Sequence, residues 1–456
     1  MIGGTLSEAA AAVAGQHLGA DGRYLGLSTD SRTLREGELF VALDGPNFAG
    51  RDFVAAAAKR GAAGAVVMQR TDDTLVQIEV EDSLTALGAL GASWRQQMQP
   101  RVVGLTGSNG KTTLKELILS CLSRSAKTLA TEGNLNNEIG VPLMLSRLSQ
   151  DDHFAIFEMG ANHAGEIAYL TDLVQPAVVA ITNAAQAHLE GFGSLDGVAR
   201  AKGEILCGRP RPDIAILNAD DRYFDFWCSL AADVTVLSFG VEQPADVRGR
   251  ALQEHADGVA FELCLPDETV PVRLPLAGRH NVLNAAAAAA IAVALDIDVE
   301  TIVAGLESVN PVSGRLKPVQ LSASTILFDD SYNANPASVV AAAQFLSSRS
   351  ESRWLVLGDM AELGADASTM HAEVGQRAKA AGVDRLFATG DLSRHTVDGF
   401  GDGAAWHSSM PALIDALSAE LSAAEQPTAI LVKGSRSARM ERAVNALCGE
   451  RTEGGT

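Results

Sequence analysis

Basic side chains are in short supply. Lysine and arginine number 36 against 56 aspartates and glutamates, for a formal net charge of -20. Nucleic-acid backbones and anionic membrane surfaces both demand a basic face, so the balance argues against either as a partner. A phosphate-bearing ligand must then be held by local basic groups and Mg²⁺. Cysteine is sparse as well. Cys121, Cys207, Cys228, Cys264 and Cys448 are odd in number, scattered and without C-x-x-C spacing. This disfavours a disulfide framework or a zinc site and suits a reducing cytoplasm. No basic segment precedes an apolar run at Met1-Ile2-Gly3-Gly4, and the alanine tract Ala285 to Ala290 sits inside a short helical pattern. Neither export nor membrane insertion is expected. A fixed-period repeat is lacking too.

What is present in quantity is core material. Apolar residues make up 47% of 456, a length that favours roughly three domains over one compact core. Up to about residue 80, short strand candidates (Leu39 to Leu43, Ala65 to Met68) surround a helical stretch from Phe53 to Arg60. The helix-like segment Ser83 to Gln97 then leads through Pro100 into a new pattern. There, strand candidates Phe154 to Phe157, Val178 to Ile181 and Ile214 to Leu217 end in Glu158, Asn183 and Asn218. Parallel α/β sheets bind ligands at the carboxyl ends of their strands, so these polar ends are where chemistry is expected. A third unit begins near Gly314 and alternates again, with strands around Ile326, Leu355, Leu386 and Ile430. It has no G-x-G-x-x-G fingerprint, so a doubly wound fold is expected without an assigned dinucleotide. The polar, glycine-rich tail Gly449 to Thr456 is expected to fray.

The run Val102-Val103-Gly104-Leu105-Thr106-Gly107-Ser108-Asn109-Gly110-Lys111-Thr112-Thr113 is an apolar strand, a glycine turn and a helix start. That order makes a phosphate-binding loop. Glycines let backbone N–H groups curl around an anion, Lys111 supplies a charge for the β- and γ-phosphates, and the Thr112 hydroxyl suits Mg²⁺. The full G-x-x-x-x-G-K-[ST] spacing would need glycine where Leu105 stands, so only the tighter G-x-x-G-K-T core matches.

Other signals are weak one by one. Glu158 at a strand end suits a Mg²⁺ ligand or a solvated carboxylate equally. His188 in a loop reads more readily as structural than as a ligand, and Lys202 in a helical pattern as a surface lysine. Asn281 reads as a helix N-cap. Lys433, ahead of Gly434 and a helix start, suits a carboxylate-binding turn or a solvent-facing strand end.

Taken in order, longer strings carry a resemblance. Thr29-Asp30-Ser31-Arg32, the G-x-x-G-K-T-T loop, Gly133 to Pro142, Glu158 to Glu166, Ala187 to Ser194 and Gly278-Arg279-His280-Asn281 come first. Ser313-Gly314-Arg315, Asp329 to Pro336, Gly358 to Gly364 and Lys433 to Ser437 follow. The chain resembles the Mur ligases over nearly its whole length, and within them the members that add a dipeptide.

The resemblance implies an α/β protein of three domains: a small N-terminal α/β domain (1–82) for a UDP-sugar, a central P-loop ATPase-like parallel-sheet domain (83–312) and a C-terminal Rossmann-like domain (313–456). It implies ATP held by Thr106, Gly107, Ser108, Asn109, Gly110, Lys111, Thr112 and Thr113, with Asn281 on adenine and Arg315 and Asp330 reaching phosphate and ribose. Two Mg²⁺ ions are implied, with Thr112, Glu158, His188 and a carbamylated Lys202 as ligands. Lys111, Glu158, His188 and Lys202 form the implied catalytic group. Substrates implied are a UDP-N-acetylmuramoyl-tripeptide and D-alanyl-D-alanine, joined through an acyl phosphate by a cytoplasmic monomer. Ser31, Arg32 and Asn47 would meet the UDP part, and Asn134 and Asn137 the sugar and peptide. Tyr332, Asn333, Asn335, Lys433 and Ser435 would position the acceptor. Gly50-Arg51-Asp52 departs from the family's usual loop, leaving its contacts open. Arg315 would reach the phosphates only on domain closure. A family ligase adding a single amino acid is the nearer alternative, and a slow ATP-hydrolysing regulator the more distant one.

Overall fold

The structure, a computed structural model, describes residues 1–255 and 258–449. Near the N-terminus a five-stranded sheet runs in the order Gln16–Leu18, Gln77–Glu79, Gly64–Val67, Leu39–Val41, Leu27–Ser28, parallel except at its first edge strand. The first helix, Leu6–Ala12, opens on a capping box between Thr5 and Glu8, which satisfies two otherwise unpaired amides. Helix Ser83–Gln97, capped by Asp82, buries Ala86, Leu87 and Leu90 in this unit's core. Its Trp94 packs on the central core as well and donates to Leu148 O at 3.0 Å, so the helix ties the two units together.

The central sheet has nine strands. Seven are parallel, in the order Thr128–Ala130, Phe154–Glu158, Arg101–Thr106, Val178–Ile181, Ile214–Asn218, Thr235–Gly240, Val247–His255. From Val247–His255 the expected parallel sheet runs on as an antiparallel meander through Gly258–Cys264 and Thr269–Leu274, strands that the sequence pattern does not place. Its outer strand alternates exposed and buried positions and contains Pro271, tolerable only at an edge. The strand before the phosphate loop lies in the middle. Leu105 stands opposite Glu158 on one side and Thr106 opposite Ile181 on the other, so Glu158 and the segment after Ile181 flank the loop.

One face of this sheet carries helices Lys111–Ser125, Arg279–Ala294 and Val299–Glu307. Ala285 to Ala290 are at most 1% exposed there, small side chains that let the helix lie close on its neighbours. Among the described residues no helix is long and apolar enough to cross a membrane. Asn281 is not the N-cap of this helix. Gly278 holds that place with φ 89°, and Asn281 falls in the first turn, donating through Nδ2 to Ala277 O at 2.8 Å.

The last unit is a six-stranded sheet, Lys317–Ser322, Thr325–Asp330, Thr428–Lys433, Ser352–Leu357, Arg385–Thr389, Ala404–His407, parallel except for the first strand. Helices Pro336–Ser347, Ala367–Ala380 and Ser393–Phe400 cover one face, Met410–Ala423 and Glu441–Leu447 the other. This doubly wound unit and the two before it agree with the expected α/β architecture. Beyond Gly449 the polar tail lies outside the described residues.

Candidate active site between the central and C-terminal domains

The phosphate loop turns where only glycine fits. Gly107 has φ 148°, and a Cβ there would stand 1.8 Å from Thr182 Oγ1; Gly110 has φ 82° and faces Asn284. The strand-end segment after Ile181 fixes the turn. Ser108 N donates to Asn183 O and Asn109 N to Asn183 Oδ1, both at 3.0 Å, while Thr182 Oγ1 donates to Asn109 O at 2.7 Å. Two loop amides are thus used internally. The amides of the first helical turn, Lys111, Thr112 and Thr113, have no acceptor within their helix and are left for an anion. Lys111 Nζ donates back to Gly107 O at 2.6 Å. Burial pushes its pKa down, opposed by Glu158 and reinforced by Arg315. Leu105, in place of a further glycine, is fully buried in the sheet core, so the loop begins later than the longer spacing would allow.

Beside the loop stand the groups expected to meet a cation. Glu158 is 3% exposed; Oε1 accepts from Asn136 Nδ2 at 2.9 Å, whereas Oε2 is buried with no partner. An orphaned carboxylate oxygen facing a phosphate loop fits a hard cation. The Thr112 hydroxyl accepts from Arg315 Nη2 at 3.3 Å. His188 adopts a left-handed backbone, φ 54°, and its Nδ1 lies against Glu362 Oε2 in an ion-pair contact off the axis of an aligned hydrogen bond. Burial lowers the His188 pKa, Glu362 opposes, and Lys111 and Lys202 lower it further. Lys202 is 1% exposed, with Nζ 5.4 Å from the centre of the Phe192 ring. Burial, then nearby Lys111, depress its pKa to about 7, with Glu204 and Glu166 opposing. Among the described residues no three His, Cys, Asp or Glu side chains converge. A Mg²⁺ here would draw most of its oxygens from phosphate and water, as that ion ordinarily does.

These groups open onto a cavity of about 670 Å³ between the central and C-terminal domains. It brings together Ser108, Asn109, Gly110, Lys111, Thr113, Glu158, His188 and Asn281 with Arg315, Asp330, Tyr332, Asn333, Asn335 and Lys433, and Asn134 and Asn137 also line it. The domains touch here. Arg315 reaches Thr112 while stacking 4.2 Å from the Tyr332 ring, and Asn335 Nδ2 donates to Asn109 Oδ1 at 2.7 Å. The closure expected to bring Arg315 to the loop is already made. Lys433 is 4% exposed, not a solvent-facing strand end; its Nζ pairs with Asp330 Oδ2 at 2.6 Å and donates to Asn333 O at 3.0 Å. Asn137 Oδ1 accepts from Gly140 N at 2.9 Å.

Several expected residues do not line this cavity. Thr106 is buried, its hydroxyl donating to Met159 O at 2.8 Å, and Lys202, Gly107 and Thr112 are not among the lining residues. Ser435 is buried and shares a hydrogen bond with Ser437. Ser31, Arg32 and Asn47 are on the N-terminal domain. There the highly exposed Arg32 guanidinium pairs with Asp30 at 2.8 Å, and Asn47 sits in the turn closed by Gly45 and Phe48. The sequence reading gave no role to Asn136, Asn183, Asn284 or Glu362. Asn183 is legible in the sequence only as a strand end, and no local chemistry singles out Asn136 or Glu362.

An arginine and an asparagine are brought to the phosphate loop by a separate doubly wound domain. Such a junction belongs to multidomain phosphate-loop enzymes that assemble their site between domains. Three family models match the chain in order: "Mur ligase family, catalytic domain" over 23–95, "Mur ligase middle domain" over 105–292 and "Mur ligase, glutamate ligase domain" over 314–436. The chain belongs to the Mur ligase family. It is 45% identical to the UDP-N-acetylmuramoyl-tripeptide--D-alanyl-D-alanine ligase of Escherichia coli (strain K12), over 98% of this chain and 99% of that one. Among solved structures, MurF from Acinetobacter baumannii superposes with a TM-score of 0.93 at 36% identity, covering 98% of this chain and 99% of its own. MurF ligase from Thermotoga maritima, in complex with ADP, gives 0.84 at 26% identity, covering 93% and 97%.

Proposed function

We infer that the chain is an ATP-dependent amide-bond ligase that joins D-alanyl-D-alanine to a UDP-N-acetylmuramoyl-tripeptide in peptidoglycan precursor synthesis. The relatives' names supply the substrates. The observation that carries the chemistry is the cavity itself, where the phosphate loop, Glu158 and His188 face Arg315 and Asn335 across a domain junction. A relative adding a single amino acid is the less favoured reading, because the full-length match is to dipeptide-adding ligases.

A carboxylate resists attack because its charge repels nucleophiles and oxide leaves poorly. Phosphorylation by ATP, here a substrate, removes both obstacles. The tripeptide carboxylate attacks the γ-phosphorus, forming an acyl phosphate and releasing ADP; the dipeptide amine then attacks the carbonyl, and phosphate departs with the electron pair of the broken C–O bond. The first-turn amides and Lys111 hold the phosphates, and Arg315 lies at Thr112, where it meets charge spreading over the transferred group. Asn335 keeps Asn109 in place from the far side. On this reading Glu158, Thr112, His188 and a carbamylated Lys202 would hold two Mg²⁺ ions, which would screen the triphosphate from the incoming carboxylate.

Lys202 fits carbamylation for a physical reason. With a pKa of about 7, roughly half its amine is neutral near neutral pH, against well under about 0.1% for an ordinary lysine. A neutral amine adds CO₂ and loses one proton, turning a buried cation into an anionic oxygen ligand. Ser31, Arg32 and Asn47 are the proposed UDP contacts, Asn134 and Asn137 the sugar and peptide contacts. Tyr332, Asn333, Asn335 and Lys433 frame the acceptor, whereas buried Ser435 does not line the cavity. The domains divide as 1–82, 83–312 and 313–456, in a cytoplasmic monomer. Hydroxylamine trapping tests the scheme: ATP and tripeptide without dipeptide should yield a hydroxamate, and its absence would remove the acyl phosphate.

A further inference from the structure

Glu362 has no part in the scheme above, yet it is the C-terminal domain's contact with His188. Both residues are non-glycine positions in the left-handed region, φ 54° at His188 and φ 61° at Glu362. Such a backbone is unfavourable unless its surroundings hold it, and such positions cluster at functional sites. The surroundings do hold Glu362. Its loop is pinned on one side by Asp359, whose Oδ1 accepts from Ser393 N and Oγ at 2.8 and 2.6 Å. On the other side buried His371 accepts from Met360 N at 3.0 Å. Glu190 N also donates to Glu362 O at 3.4 Å, so backbone and side chain meet the His188 segment together.

The ring's orientation follows from which nitrogen is covered. Nδ1 is the buried nitrogen and faces the Glu362 carboxylate, while His188 itself lines the cavity. A lone pair on Nδ1 would repel that carboxylate, and an N–H there is attracted to it. In a neutral ring the second nitrogen is then the unprotonated one. A histidine whose far N–H is held by a carboxylate is the arrangement that orients imidazole ligands.

We propose that Glu362 is a positioning residue: the C-terminal domain delivers its carboxylate to His188 Nδ1, which fixes the ring as the Nδ1–H tautomer and leaves Nε2 free toward the cavity. Docking of the C-terminal domain thereby completes a part of the site that the central domain carries. The consequence for catalysis rests on the ligase reading; the ring state does not.

The test uses the full chain labelled with ¹⁵N-histidine, the His188 signal being assigned by its loss in His188→Gln. The wild-type ring should show Nδ1 protonated and Nε2 bare; a wild-type Nε2–H tautomer overturns the proposal without any variant. In Glu362→Ala the ring should move toward the Nε2–H form, and an unchanged spectrum overturns the proposal. Hydroxamate formation from ATP and tripeptide should fall about 10- to 100-fold in that variant, with KM for ATP changed far less. Full hydroxamate formation alongside a changed ring would refute the positioning role. A wild type that makes no hydroxamate would instead count against the ligase reading, with the ring spectrum still deciding the proposal.

Discussion

Lys202→Met should make the metal-free protein more stable at neutral pH while abolishing ligation. The ammonium is 1% exposed, lies near Lys111 and has its pKa depressed to about 7 from an ordinary 10.5. In the unfolded chain the lysine keeps its ordinary value, so between these two values the unfolded state binds more protons and stability rises with pH. The cost of the buried charge is absent above about pH 10.5 and complete below about pH 7. A gap of that size corresponds to roughly 5 kcal/mol at most, at about 1.4 kcal/mol per unit. Methionine fills nearly the same volume without a charge. In CO₂-free buffer, urea unfolding of the central domain followed between about pH 7 and 10 should show a rising wild-type midpoint and a flat one for Lys202→Met, with the variant ahead by a few kcal/mol near neutrality. Bicarbonate should then stabilise the wild type alone. Parallel pH profiles for the two proteins would refute the burial argument and, with it, the reason given for a reactive amine.

Three further outcomes are expected. Gly107→Ala places a Cβ 1.8 Å from Thr182 Oγ1 at a left-handed position; it should cost about 2–4 kcal/mol and weaken binding of a fluorescent ATP analogue, and wild-type melting and affinity would contradict the loop geometry. Lys433→Met strands the Asp330 carboxylate and should cost about 3 kcal/mol or more, with much of that recovered in the double variant with Asp330→Asn; strict additivity by chemical denaturation would show the pair is uncoupled. His371 has its pKa lowered by burial, partly opposed by its Ala367 hydrogen bond and Asp359. Its neutral ring accepts from Met360 N, so its contribution is fully present above about pH 6.5 and lost as pH falls below that. His371→Gln should flatten this acid-side slope in thermal melts, and an unchanged slope would refute it.

Local signals proved readable where chemistry and backbone coincide. The phosphate loop is written in consecutive residues, and the strand-end rule points to Glu158 and Asn183, which flank it in the sheet. The same rule also points to Asn218, which is buried, donates to Thr182 O and does not line the cavity. Asn281 misled because side-chain type favoured an N-cap, while the helix start was set by the backbone of Gly278. The antiparallel meander escaped because two of its strands, Val247–His255 and Thr269–Leu274, are half-exposed with short alternating runs. Lys202 looked like a surface lysine because burial depends on how Phe192 and the neighbouring helix pack. The cross-domain contacts, Arg315 with Thr112, Asn335 with Asn109 and Glu362 with His188, join residues far apart in the chain. No periodicity encodes such pairs, since they depend on domain docking.

The central claim is that phosphate transfer here serves amide-bond formation. ADP release measured with UDP-N-acetylmuramoyl-tripeptide, with and without D-alanyl-D-alanine, tests it most directly. The account predicts sustained ADP formation, matched mole for mole by pentapeptide product, only when both substrates are present. Steady ADP formation indifferent to either substrate, without pentapeptide product, would contradict it.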